Sequence, residues 1–202
     1  MRQGAKLRRK GSKLDREVIL EAAFEVLDAE GFDGLSLRLV AERLKVQTPA
    51  LYWHVENKAS LINLMAARFS EVANREKDQA SGWRNKLLAF ARALRRALLV
   101  HRDSARLSLA ASPTDDPEER AERIAAPLVE QGVSIRQALS YCASVIAYTI
   151  GWVAYEQSES MHDYLAQMID FTESFDAGLQ ALVGGLPAPA RVLRGGTVRS
   201  VR

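Results

Sequence analysis

Ser36-Leu-Arg-Leu-Val-Ala-Glu-Arg-Leu-Lys-Val-Gln-Thr-Pro-Ala-Leu-Tyr-Trp-His-Val-Glu-Asn-Lys58 is the stretch whose reading decides the fold. Ser36 is placed to accept a bond from an orphan backbone N–H and so to cap a helix. Leu37, Val40, Ala41 and Leu44 then recur at helical spacing and give one apolar face. Lys45-Val46-Gln47 reads as a tight turn, with Val46 filling the angle between two helices. Thr48 is expected to cap a second helix running to Val55, with Pro49 at its first position, where a missing N–H costs nothing. Leu51 and Val55 face inward, which leaves Thr48, Ala50, Tyr52, Trp53 and His54 on the outer side. This is the layout of a helix-turn-helix, whose second helix can enter a DNA major groove. A plain helical hairpin carries the same generic pattern, and pattern alone does not separate the two.

Outward from this stretch the chain reads as helices throughout. Asp15 can cap a helix whose stripe is Val18, Ile19, Ala22, Ala23, Val26 and Leu27, and Gly31 ends it at a position suited to left-handed backbone. Glu21, Glu25, Asp28 and Glu30 are read as its solvated side. Asn57 can cap the next helix, which Leu61, Ile62, Leu64, Met65, Phe69 and Val72 carry to about Asn74. The polar run Arg75-Glu76-Lys77-Asp78-Gln79 is taken as a boundary. Trp83 opens a helix flanked by Arg84, Lys86, Arg92, Arg95 and Arg96, read as its wet face. Helices are expected over 104–111 and 118–131, the latter kinked or broken by Pro127. Ser134 caps a long helix to about Gln157, apolar nearly all round and so expected to be buried on more than one side. A last helix runs from about His162 to Val183 and is stopped by Gly184-Gly185. The fold class is all-α: an N-terminal three-helix module followed by a helical bundle. The expected organisation is a flexible basic arm over 1–13, the helix-turn-helix domain with its connecting helix over 14–74, a second domain over 75–185 and a disordered tail over 186–202.

Composition narrows the function classes. The chain has 202 residues, a net charge of +3 and a pI near 9.1, a mild basic excess concentrated at the N-terminus. Such an arm either reaches along phosphates or is a solvated tail. Cys142 is the sole cysteine, so no intrachain disulfide forms; it reads as a small buried apolar residue in a reducing, cytoplasmic setting. No secretion signal follows the basic N-terminus, and no uninterrupted apolar run of about 18 residues suggests a membrane span. His54, His101 and His162 are too scattered for a metal site, and no zinc-ligand spacing or phosphate-binding glycine loop points to a cofactor. His101-Arg102-Asp103 has the residues of a kinase catalytic loop, but no glycine-rich loop, strand lysine or magnesium motif accompanies it. A small helical enzyme would need a convergent acid, base or nucleophile, and the sequence offers none, so the chain is expected not to be an enzyme.

Thr48 to Lys58, together with Gly34-Leu35-Ser36-Leu37-Arg38, closely resembles the DNA-reading segment of the TetR (tetracycline repressor) family. Weaker likeness continues through Trp83, Leu98-Leu99-Val100-His101-Arg102-Asp103, Pro113-Thr114, Gln131-Gly132 and Tyr148-Thr149-Ile150-Gly151, and points to the tetracycline repressor's own subgroup. The resemblance implies a DNA-binding regulator. It puts Arg38, Thr48, Pro49 and Ala50 against bases, and Tyr52, Trp53, His54 and Lys58 on phosphates; Trp53 has the alternative of a partly buried anchor. It also implies a homodimer through the helices Ser134–Gln157 and His162–Val183, a palindromic double-stranded operator, and release by a small-molecule effector. The tetracycline repressor carries Gln at the position of Thr48, so a different operator is expected. It carries His and Glu at the positions of Ser108 and Tyr155, and Asn and His at those of Phe90 and Asn74. This chain lacks that set of magnesium ligands and drug donors, and a tetracycline–magnesium effector is not expected. Phe90, Leu94, Ser108, Leu109, Tyr141, Tyr148, Trp152 and Tyr155 suggest a greasier, aromatic effector site, or else solid core. An activator or a ligand-independent DNA-binding protein of the same fold is the alternative function.

Overall fold

A computed structural model of the chain describes residues 14–188. The arm 1–13, and the tail from residue 189 on, lie outside the described residues. Among the described residues there are ten helices and no strand. They form two compact units, one made of residues up to Glu71 with Arg96–Pro113, the other of Val72–Arg95 with residues from Thr114 on.

Unit one opens with α1 (Arg16–Gly34), where Asp15 accepts the Val18 N–H at 2.9 Å. Ile19, Ala23, Val26 and Leu27 are buried on its inner face. Gly31, at φ 72°, breaks the helical path before a final turn to Gly34. After α2 (Leu37–Leu44) and α3 (Thr48–Leu51) comes α4 (Lys58–Gln79), started by Asn57, whose Oδ1 accepts the Ser60 N–H at 2.9 Å. Leu61, Ile62, Met65, Phe69 and Ala73 are buried along it. The run Arg75–Gln79, read as a boundary, is instead the end of this helix. Arg, Glu, Lys and Gln favour helix wherever they are exposed, so polarity alone does not terminate one. The end of α5 (Trp83–Leu99) and α6 (Ser104–Ala110) complete the unit, and α6 contacts α1. Residues 96–113 thus associate with the N-terminal helices, across the division at 74/75 expected from the sequence.

Unit two holds the rest of α5, with α7 (Pro117–Val129), α8 (Ile135–Gln157), α9 (Glu159–Leu165) and α10 (Phe171–Gly185). Asp116 caps α7 by accepting the Glu118 and Glu119 N–H groups. Pro127 does not break α7, which runs on to Val129, although its ring removes the N–H that would otherwise bond the Arg123 carbonyl. The single helix expected over His162–Val183 is two helices. Asp170, unnoticed as a cap, accepts the Glu173 N–H at 2.7 Å and starts α10 afresh. On α8, Ala138, Tyr141, Val145, Thr149 and Val153 are buried, whereas Ser140, Ala143, Ser144, Ala147, Gly151 and Ala154 are exposed. Among the described residues, burial on more than one side is therefore not achieved. By length and mean hydropathy (1.3) α8 could cross a membrane, although scattered Ser, Thr and Gln residues interrupt its apolar run. Here its inner face belongs to the core of unit two, with Trp83, Leu87, Ala125, Leu128, Phe175, Leu179 and Val183.

The arginines of α5 were read as a wet face, and three of them are not. Arg95 and Glu156 are joined by two hydrogen bonds, Nε to Oε1 at 2.7 Å and Nη2 to Oε2 at 2.6 Å, with side chains only 10% and 9% exposed. The Arg95 guanidinium also lies over the Phe175 ring. Arg92 forks onto Asp176 at 2.6 and 2.9 Å, and its hydrogen bond holds the Asp176 carboxyl below the usual carboxylate range. Arg84 donates to the Val183 and Leu186 carbonyls and so satisfies the open end of α10. Helical spacing puts these residues beside the apolar stripe, and the planar guanidinium reaches over it to partners on α8 and α10.

Tyr148 seats α10 against α8. Its hydroxyl donates to the Phe175 carbonyl at 2.8 Å, and a Cβ on Gly178 would collide with the Tyr148 hydroxyl oxygen. Gly178→Ala should therefore lower stability by about 1–3 kcal/mol in urea unfolding. Adding Tyr148→Phe, which removes the obstructing oxygen, should recover part of that loss; an additive double mutant would contradict the contact.

Candidate functional site

The site is built by short elements of unit one. Ser36 Oγ accepts the Leu39 N–H at 3.4 Å and starts α2, as its sequence position requires. Leu37, Val40 and Ala41 are buried on one face, and α2 contacts both α1 and α3. Lys45 closes the helix in left-handed conformation, φ 59°, with the Val46 N–H reaching back to the Ala41 carbonyl at 3.0 Å. That bond pattern is the helix stop usually given to glycine. The next helix is shorter than expected. α3 covers only Thr48–Leu51, and further turns carry the chain to Val55 through His54 and Val55 N–H bonds to the Leu51 carbonyl. Its cap position is held by Gln47, without a side-chain bond, and Thr48 lies inside the helix rather than capping it. Pro49 sits in the first turn, where no N–H is required.

Leu51 and Val55 are fully buried and fasten this segment to the core. The opposite side is open: Pro49, Tyr52, His54 and Lys58 are exposed, and Thr48 and Ala50 are half-buried. Trp53 is 89% exposed, which removes the alternative of a buried anchor. A tryptophan left in water forfeits the largest apolar contribution any side chain offers to the core. Arg38 stands on the same module, exposed, with Nη1 donating to Glu42 Oε1 at 2.9 Å. The Lys58 ammonium lies over the Phe32 ring, 5.5 Å from its centre. The structure thus brings Arg38 on α2, Thr48, Pro49 and Ala50 on α3, Tyr52, Trp53 and His54 in the turns after it and Lys58 at the start of α4 into one compact unit.

Sequence reasoning missed the fastening of α1 to α6 behind this surface. Asp103, itself left-handed at φ 54°, accepts the Phe32 N–H on Oδ2 at 2.9 Å. Asp28 Oδ2 lies 2.9 Å from His101 Nδ1, and Asp28 Oδ1 accepts the Arg102 N–H at 3.0 Å. His101 also stacks on Phe24, with ring centres 4.2 Å apart. Arg106 forks onto Asp33 at 3.1 and 3.0 Å, and this bond holds the Asp33 carboxyl below its usual range, with the charges of Arg106 and Lys58 adding to the effect. Asp28, read as solvated, is therefore a clasp residue, and Glu25 likewise pairs with Arg43. On the far side of α6, Asn63 holds the Ser112 backbone through both its amide oxygen and its amide nitrogen, each at 2.8 Å. The unused tripeptide His101-Arg102-Asp103 was the available signal: three polar residues between two helices that chemistry had not absorbed.

The candidate effector residues divide between the units. Ser108 and Leu109 lie on α6 in unit one, Ser108 half-buried and Leu109 exposed. The other six lie in unit two. Tyr141 and Trp83 stack, and the Tyr141 hydroxyl donates to the Pro187 carbonyl at 2.9 Å. Tyr148, Trp152 and Phe175 form one aromatic cluster. The Trp152 indole N–H is buried there with no hydrogen-bond partner. Leu94 is buried, Phe90 half-buried and Tyr155 exposed. Cys142 is half-buried, and burial pushes its thiol up. No group of His, Cys, Asp or Glu able to hold a metal ion is found among the described residues.

Comparison with known proteins identifies relatives of the whole arrangement. The family of bacterial regulatory proteins named tetR matches residues 19–65, and the tetracyclin repressor-like C-terminal domain matches residues 76–174. The class E tetracycline repressor protein of Escherichia coli is 36% identical over 151 residues, 73% of this chain and 71% of that protein. Among solved structures, a TetR variant of Acinetobacter baumannii AYE in complex with minocycline is similar at a TM-score of 0.71 and 32% identity, over 86% of this chain and 96% of the other. BioQ with its natural double-stranded DNA operator is similar at a TM-score of 0.62 and 30% identity, over 86% and 98% of the two chains.

The clasp makes its own prediction. Gly31 has a left-handed φ of 72°, and a Cβ there would stand 2.9 Å from Asp103 Oδ2. Gly31→Ala should cost about 2–4 kcal/mol, the backbone strain adding to displacement of the Asp103–Phe32 bond. Chemical denaturation measures the cost, and a loss below about 0.5 kcal/mol would show that the α1–α6 junction is not held this way.

Proposed function

The chain belongs to the tetR family of bacterial transcriptional regulators, and from that we propose that it is a repressor: a homodimer that holds a palindromic operator and releases it when a small, largely apolar or aromatic ligand binds. The observation that carries the DNA half is the open surface of unit one, above all the solvated Trp53 beside Tyr52, His54 and Lys58. In this reading Arg38, Thr48, Pro49 and Ala50 meet base edges. Tyr52, Trp53, His54 and Lys58 take phosphate and sugar, fixing register without reading sequence. Thr48 cannot make the two-pronged adenine contact of a glutamine, so specificity at that position differs from that of relatives carrying Gln.

Dimerisation is supported by the exposed face of α8. Ala143, Ala147 and Gly151 stand one helical turn apart there, and small side chains let a second helix approach closely. Ala177, Ala181 and Gly184 do the same on α10. We assign the second half of the interface to α10, since His162 falls on the separate α9. Two copies would then present recognition segments about 34–36 Å apart, one turn of duplex. For the effector, the reading rests on the half-buried Phe90 as an apolar contact and on the partnerless Trp152 N–H as a donor. A ligand with higher affinity for the form with the wrong spacing lowers operator affinity by that difference and no more.

Selection of random duplex DNA by the purified protein, at a stated salt concentration, tests the reading. Enrichment of a palindrome with half-sites one turn apart is the expected result; salt-sensitive binding without enrichment would refute it. Two further outcomes are expected. Trp53→Ala should leave stability within about 0.5 kcal/mol of the parent, since the ring is solvated, yet weaken operator binding at least tenfold in fluorescence anisotropy. Tetracycline with magnesium should not release the operator at concentrations that saturate a tetracycline repressor, because Ser108, Tyr155 and Phe90 supply no hard-metal ligand set; full release would overturn the apolar-effector assignment.

A further inference from the structure

The Arg38–Glu42 pair sits where a carboxylate is electrostatically unwelcome. Both residues lie on α2, one helical turn apart, with side chains 74% and 55% exposed. A free carboxylate beside a duplex is repelled by phosphate and lowers general affinity. The exposed pair itself adds little to folding. Neither stability nor general DNA affinity therefore accounts for Glu42. The neighbouring arginine of α2 is handled in the same way: Arg43 Nη1 donates to Glu25 Oε2 of α1 at 3.2 Å. Arg43 is drawn back toward α1 and Arg38 along its own helix, so each guanidinium of α2 has one carboxylate partner.

We propose that Glu42 is a specificity-determining brace for Arg38. It holds Nη1 through the 2.9 Å bond, which leaves the Nε and Nη2 donors of the same planar fork free as an adjacent pair. Two parallel donors of that spacing match the O6 and N7 acceptors of guanine. An unbraced arginine carries rotamer entropy that a base contact must overcome. The brace removes part of that cost before binding and biases the fork toward its side-on edge. Its negative charge simultaneously weakens contacts that do not depend on sequence. Both effects act in one direction: less affinity for random duplex and more discrimination at one base pair. The inference rests on the reading of Arg38 as a base contact, and Glu42 is a positioning residue within it.

The test compares Arg38→Ala, Glu42→Ala, Glu42→Gln and Arg38→Ala/Glu42→Ala in the full chain. Binding to the selected operator, to each single-base variant of it and to random duplex is read by anisotropy at fixed salt. Glu42→Ala and Glu42→Gln should each bind random duplex about two- to fivefold more tightly. Glu42→Ala should discriminate about three- to fivefold less at the base pair that Arg38→Ala relaxes, and should change nothing further at that pair in the Arg38→Ala background. Three results would overturn the brace. Unchanged discrimination in Glu42→Ala would show that the bond steers nothing. Relaxation at a different base pair, persisting without Arg38, would make Glu42 a direct reader, for example of a cytosine amino group. If Arg38→Ala weakens all sequences alike, Arg38 is a phosphate contact, and the underlying reading fails together with the brace.

Discussion

The bond between the Phe32 N–H and the Asp103 carboxylate is the constraint on which unit one depends. That unit is assembled from two separate stretches of chain, and only non-covalent contacts keep residues 96–113 beside the first helices. The carboxylate can reach the backbone of Phe32 because Gly31 has no side chain and turns in the left-handed region. The bond is flanked by Asp28 on one side, meeting His101 and the Arg102 N–H, and by Asp33 on the other, meeting Arg106. Exposed ion pairs are individually weak, but a carboxylate accepting a backbone N–H satisfies a group the end of α1 would otherwise leave open. The recognition segment inherits its position from this arrangement. α3 contacts α2, α2 contacts α1, and α1 is held at its far end by α6.

Unit two solves the opposite problem. Its core is aromatic and aliphatic, yet Arg95 and Glu156 are buried within it as a pair. Such a pair adds little net stability over an apolar substitute, because both charges leave water, while removing one partner strands the other at a cost of about 3–5 kcal/mol. What it supplies is geometric definition. Two parallel hydrogen bonds and the guanidinium over Phe175 fix how α5, α8 and α10 meet, which a surface of Leu and Ala alone would leave less determined.

Most of the helices and the candidate site were legible because local rules and global structure agree there. Asp15, Ser36, Asn57 and Ser134 are caps in sequence and caps in the structure. Leu51 and Val55 had to be inward for Tyr52 and Trp53 to be outward, and they are. What escaped reading depended on partners distant in sequence. Nothing near Arg95 announces Glu156, 61 residues away, so a guanidinium at the margin of the stripe looked solvated. The clasp residues looked like a solvated face and an unexplained tripeptide for the same reason. Asp170 was passed over since the apolar period of α9 continues in phase into α10, and a period does not register a break that keeps phase. Tyr141 and Tyr148 could be read as pocket or as core, and only their hydroxyl bonds to Pro187 and Phe175 show what holds them.

The route by which one unit could influence the other is constrained by covalent topology. α4 and α5 each run without interruption through the division between the units, at 71/72 and 95/96. A helix transmits displacement better than a loop does, since moving one turn independently of the next breaks backbone bonds. The third crossing, after Pro113, is a non-helical segment, but Asn63 grips the Ser112 backbone just before it from α4 itself. All three passages of the chain are therefore mechanically tied to α4 or α5. Under the proposed function, a ligand in unit two would alter DNA affinity only by favouring one position of these helices over another, and the free energy available would be its difference in affinity between the two. On that proposal, a unit one held by the Asp103 and Asp28 clasps would move its recognition segment as a body. A loosely held one would absorb the same displacement in its own loops, leaving the spacing of two recognition segments unchanged.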